Sequence, residues 1–110
     1  MRDRIDQRID ELISMGDQGT WIDWRPVREA SACLLRARYT LQYTYPHAYL
    51  LKNETQKALF ENLQAQLEFE VENLSHMLEH FDFGDRAAIV AKAAVVEKRR
   101  VLLLQDSEHK

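Results

Sequence analysis

Arg38-Tyr39-Thr40-Leu41-Gln42-Tyr43-Thr44-Tyr45-Pro46-His47-Ala48-Tyr49 is an unusually tyrosine-dense run, and no glycine interrupts the chain between Gly19 and Gly84. Apolar residues continue past Pro46 through Ala48, Tyr49 and Leu50, so the proline is expected to kink a helix here rather than end it. That helix should open near Asp23, a good N-cap residue, with Pro26 in the first turn, where backbone donors lack helical partners anyway. Ile22 and Val27 are spaced to form a hydrophobic staple. The helix should then run to about Leu51. Val27, Ala30, Leu34, Leu41, Tyr45 and Ala48 share one face. Ala32, Leu35, Tyr39, Tyr43 and Leu50 fall roughly opposite. A helix apolar on both sides is expected to be central and packed between neighbours, although the same pattern also fits an exposed tyrosine ridge for a partner.

Outward from this run the chain reads as three further helices. Ile5, Ile9, Leu12 and Ile13 stripe a helix from about Arg2 to Ser14, with Gly16 and Gly19 placed to close it. Asn53 followed by Gln56 predicts a capping box, after which Leu63, Leu67, Val71, Leu74, Leu78 and Phe81 recur at helical spacing. Gly84 should break that helix, and Asp85 should cap a fourth ending near Gln105. Short loops between long amphipathic helices imply antiparallel neighbours. The expected fold is all-α, a small antiparallel bundle of about four helices forming one domain over residues 1–110.

Composition agrees. The chain has 110 residues, 45% of them hydrophobic, with three Gly and two Pro; this is enough apolar material for one core and favours helix. A formal net charge of -3 argues against a general nucleic-acid binder, which must neutralise phosphates with clustered cations. The single cysteine, Cys33, cannot form an internal disulfide. With no membrane-length apolar run and no signal peptide, a soluble cytoplasmic or nuclear setting is expected.

Four constellations bear on chemistry. His76-Met77-Leu78-Glu79-His80 matches the H-x-x-E-H pattern of inverted zinc peptidases, but a site needs a third ligand and an open position, so two surface histidines are the simpler reading. Glu97-Lys98-Arg99-Arg100 is expected to be a solvated helix face. Cys33, between Ala32 and Leu34, reads as an inert, partly buried thiol. On the third helix, Glu61, Glu68, Glu72 and Glu79 project away from the leucine stripe, beside Phe69 and His76. An acidic stripe is most simply a solvated face, but an aromatic beside carboxylates on the outer side of a helix is less ordinary, and such residues are common anchors and rim contacts at protein interfaces.

Gly19-Thr20-Trp21-Ile22-Asp23-Trp24, the tyrosine-dense run, Phe60-Glu61 and Gln64-Ala65-Gln66-Leu67-Glu68 together resemble the Ariadne domain of RING-between-RING ubiquitin ligases, most closely the Ariadne-2 type. The resemblance covers about Trp21 to Leu104. It implies a C-terminal regulatory piece of a larger ligase, whose helices fold over the catalytic RING domain and hold it off until a neddylated cullin-RING ligase engages. By this resemblance the chain is not itself an enzyme and needs no cofactor. Zinc and the ubiquitin-accepting cysteine belong to RING domains outside it, and nucleic acid and membrane are not partners.

In the family, one inhibitory contact is a glutamate in a stretch resembling Glu70-Val71-Glu72-Asn73-Leu74, which makes Glu72 the matching position. Glu68 and Phe69 are added from the helical wheel. The family's apolar–glutamate pair on the first helix has no counterpart here, as if the chain began partway along that helix. Phe60-Glu61 is similar in composition but lies on a different helix, so the role is not transferred to it. The rival reading is a helical scaffold that binds another protein through the Tyr39/Tyr43 face.

Overall fold

The computed structural model describes residues 2–15, 23–81 and 83–108. Among them are α1 (Arg2–Met15), α2 (Arg25–Leu50), α3 (Glu54–Glu79) and α4 (Arg86–Glu108), with one 3-10 turn at Phe83–Asp85 and no strand. The all-α expectation is met. Gly16, Gly19 and the Ile22 half of the staple lie outside the described residues.

Cross-helix bonds give the register. Arg38 donates to Ser75 and Tyr45 to Glu68, so α2 and α3 run antiparallel. Lys92 donates to Glu70 and Arg99 to Gln66, so α3 and α4 do too. These three helices pack on one another, whereas α1 touches α2 and α3 much less extensively. α1 sits at one end, where Asp6 pairs with Arg28 at 3.2 Å, Arg4 with Glu79 at 3.7 Å, and Arg8 Nε donates to the Phe81 carbonyl. The bundle is therefore an up-down-up body of three helices with α1 closing one end.

The helix starts follow local chemistry. Asn53 Oδ1 accepts from the Gln56 backbone N–H at 3.0 Å and caps α3. Asn53→Ala should cost about 1 kcal/mol of stability, read as an earlier urea midpoint with an unchanged slope. At α2 the N-cap position is Trp24, one residue later than expected, and its side chain makes no cap bond. Asp23 still acts on this end by accepting from the Arg25 backbone N–H and pairing with the Arg25 guanidinium, which holds its carboxyl below the ordinary aspartate range. α2 continues through Pro46, as its apolar pattern requires.

Two other boundaries differ. α3 ends at Glu79, before Gly84, and Gly84 has no positive φ. The chain leaves the helix early because Phe81 turns inward, 1% exposed, against Trp24 at 5.8 Å between ring centroids. α4 runs past Gln105 to Glu108.

The core joins Ile5, Ile9 and Leu12 of α1 to Val27, Leu34 and Leu41 of α2, Phe60, Leu67, Leu74 and Leu78 of α3, and Ile89, Val96 and Leu103 of α4. Trp24 and Phe81 plug one end, with the Arg86 guanidinium 6.0 Å from the indole centroid and donating to the Asp23 carbonyl. Phe60 fills the other end, met edge-on by His47 at 5.0 Å. Two of the buried polar side chains match each other: Gln64 Nε2 donates to Thr44 Oγ1, whose hydroxyl donates in turn to the Leu41 carbonyl.

Candidate protein-interaction site

Each helix of the three-helix body turns one face outward, and the chemistry of those faces differs. The core side of α3 is complete with Phe60, Gln64, Leu67, Val71, Leu74, Ser75 and Leu78. That leaves Glu61, Glu68, Phe69, Glu72, His76 and Glu79 exposed, as the helical wheel requires. Phe69 is 66% exposed, against 0% for Phe60 on the same helix. Phe60 therefore cannot supply an apolar surface contact, in accord with its role not being transferred.

Not all of the outer carboxylates are equally available. Glu79 is taken up by Arg4 of α1. Glu68 Oε2 accepts from Tyr45 Oη at 2.6 Å, a short charge-assisted bond. Burial and the adjoining Glu68 carboxylate push the Tyr45 phenol up to about 12, so it stays protonated and donating across the physiological range. Glu72 makes no hydrogen bond or ion pair among the described residues. It borders a shallow depression of about 220 Å³ between α2 and α3, shared with Arg38, Leu41, Gln42, Tyr45, Glu68 and Val71. The structure thus brings Glu68 and Glu72 to one groove, while Phe69 stands on the adjoining crest of α3. The sequence did not reveal Arg38 and Tyr45 as neighbours of these carboxylates, because cross-helix pairs depend on register. Periodicity puts Tyr45 on the core face of α2, yet it is 46% exposed.

The remaining constellations resolve as follows. The packed, two-sided reading of α2 is overturned. Its second face holds Leu35 at 40% exposure, Tyr39 at 77%, Tyr43 at 76% and Leu50 at 72%. A helix with only two large neighbours buries one stripe, and the ridge is left to solvent. Cys33 is buried, with Sγ 3.4 Å from the Ala93 carbonyl, and burial, helped by Glu97, pushes its thiol up. That is the opposite of what an activated nucleophile needs. The basic cluster is less solvated than expected: Arg100 grips Glu97 through two bonds at 2.9 and 2.7 Å, and Arg99 reaches Gln66 at 2.6 Å. Arg100 holds the Glu97 carboxyl below its usual range. His76 and His80 stand 4.8 Å apart ring to ring. Among the described residues no group of three His, Cys, Asp or Glu is placed to hold a metal ion, and no helix is long and apolar enough to cross a membrane.

Comparison with known proteins agrees with the arrangement of helices and motifs. A family model described as the Ariadne domain matches residues 1–102. The chain is 46% identical over 104 residues to the mouse E3 ubiquitin-protein ligase ARIH2, covering 94% of this chain and 21% of that protein. It is 44% identical over 106 residues to the potential E3 ubiquitin-protein ligase ariadne-2 of Caenorhabditis elegans, covering 96% and 22%. It is 34% identical over 107 residues to human E3 ubiquitin-protein ligase ARIH1, covering 93% and 19%. The chain spans about one fifth of the length of these relatives. With the family model matched over almost all of its length, this chain belongs to the Ariadne domain family.

Proposed function

We propose that this chain is the regulatory domain of a RING-between-RING ubiquitin ligase, and that the outer face of α3 covers the catalytic RING domain. Glu72 is the central contact, flanked by Glu68 and Phe69. The observation that carries this reading is the state of Glu72: an exposed carboxylate with no partner among the described residues, one turn from an exposed phenylalanine, on a helix whose core is complete without either. An uncompensated carboxylate beside an aromatic anchor fits a partner surface that offers amide or basic donors around an apolar pocket. Membership of the Ariadne family and likeness to E3 ligases support the same reading.

The mechanism is competition for a surface. While α3 covers the catalytic RING domain, its acceptor cysteine cannot meet the ubiquitin donor. A neddylated cullin-RING ligase releases the block by binding the open arrangement more tightly than the closed one, since a ligand shifts an equilibrium only by its differential affinity. No bond-making step falls to this domain, and in this reading it needs no cofactor.

Calorimetric titration of the chain against the catalytic RING domain of an Ariadne-2-type ligase tests the proposal. Glu72→Ala should leave the helical circular dichroism unchanged and weaken binding by about 1.5–3 kcal/mol, the range for a hydrogen bond to a charged group. An affinity equal to that of the wild type would remove Glu72 from the contact.

A further inference from the structure

We infer that α1 is a displaceable strap: it opens as a unit while α2, α3 and α4 stay folded, and its docking ties up Glu79 on the outer side of α3. At 14 residues, α1 has a length at which an isolated helix is marginal in water. Its helical state therefore depends on the seam it forms with the three-helix body. Ile5, Ile9 and Leu12 bury one stripe there, yet α1 packs on α2 and α3 far less extensively than the other helices pack on one another.

The seam is incompletely filled on both sides. Against α2, a depression of about 280 Å³ opens between Ile5, Asp6, Arg28 and Ser31. Against α3, one of about 460 Å³ is lined by Arg4, Arg8, Glu79 and His80, and one of about 250 Å³ by Ile5, Arg38 and Leu78. Well-packed contacts leave few gaps of that size. Ser31, on the wall of the first depression, is 4% exposed, and its hydroxyl has no hydrogen-bond partner among the described residues. An unpaired buried hydroxyl disfavours the docked state, and opening α1 returns it to water. Two ion pairs across the seam lie at its rim: Asp6 and Arg28 are half-exposed, and Arg4, the partner of Glu79, is 76% exposed. Such pairs hold weakly. The element with the sparsest packing is the one that opens first.

The strap controls charge. Glu79 stands about two turns beyond Glu72 on the same side of α3. It is one of six glutamates on that helix against a single lysine, whereas α2 carries four arginines against one glutamate. Docked, Arg4 pairs with Glu79; released, Glu79 joins Glu68 and Glu72 as a third outer carboxylate, and a basic partner surface binds the open form better. This last step rests on the α3 reading above, but the opening of α1 does not.

Amide hydrogen exchange of the whole chain under native conditions, followed by NMR at rising urea, tests the opening. Amides of Ile9–Leu12 should exchange about tenfold or more faster than the slowest amides of α2–α4. Their urea dependence should be smaller than that of global unfolding but not zero, which marks a unit opening rather than fraying. Leu103 is wholly buried in α4, toward the other end of the bundle. Leu103→Ala should therefore speed the slowest α2–α4 amides about tenfold or more and leave α1 exchange as in the wild type. If that variant does not fold, Leu103→Val makes the same test with a smaller loss. Equal acceleration of α1 and the body, or α1 exchange without urea dependence, would overturn the strap. Its control of α3 is read by titrating the catalytic RING domain: Ile9→Ala, which favours opening, should bind more tightly than the wild type, and the gain should vanish in Ile9→Ala/Glu79→Gln. No gain in Ile9→Ala would overturn that control. Absence of binding by wild type and variants alike would strike the α3 reading and the control with it, leaving the opening to stand or fall on exchange.

Discussion

Replacing Trp24 by alanine is expected to destabilise the fold by about 3–5 kcal/mol, the range for deleting a buried tryptophan or phenylalanine side chain. Trp24 is 4% exposed and stands where α1, α2 and the end of α3 meet, with Phe81 against one side of its ring and Arg86 over it. Removal leaves a cavity that the neighbouring helix ends cannot easily close, and it takes away the surface that turns Phe81 inward. Since small domains are stable by only about 5–15 kcal/mol, the loss is a large fraction of the whole. Guanidinium denaturation followed by circular dichroism measures it. A loss of about 0.5 kcal/mol or less, the size of an ordinary surface substitution, would mean that this end of the bundle is not packed as described.

The second large effect lies at the opposite end. Phe60→Ala should also cost about 3–5 kcal/mol, because Phe60 is wholly buried and its ring meets the edge of His47. Phe69 on the same helix provides the internal comparison. Phe69→Ala should change stability by no more than about 0.5 kcal/mol, as surface substitutions do. Two phenylalanines nine positions apart on one helix would then separate cleanly, one sensed by denaturation and the other by partner binding. Equal stability losses in the two variants would contradict the division of α3 into a core side and a binding side.

The helices themselves were legible because burial imposes a period. The α3 stripe from Leu67 to Leu78 is found where spacing puts it, and Asn53 caps α3 because its side chain is the right length for the Gln56 N–H. Where the sequence misled, a second requirement competed with the local signal. Glycine chemistry pointed to Gly84 as the end of α3, but Phe81 had to reach Trp24, and tertiary packing ended the helix sooner. The double apolar face of α2 pointed to burial on both sides. Periodicity reports which residues share a face, and the number of neighbouring helices decides whether that face is covered. Of the candidate site, the outward placement of Glu68, Phe69 and Glu72 could be read from the wheel. The Tyr45 bond that fixes Glu68 could not, since it depends on the offset between two helices.

The unequal distribution of charge between α2 and α3 has a kinetic consequence. With arginines gathered on one long helix and glutamates on its antiparallel neighbour, the bundle carries an electric dipole across its long axis. An approaching molecule with its own charge asymmetry experiences a torque before contact, once it comes within the screening length of about 8 Å at physiological ionic strength. Encounters are thereby biased toward one rotational orientation about the rod. Association rates of this domain should fall as salt is raised, while dissociation, governed by the close contacts, changes far less.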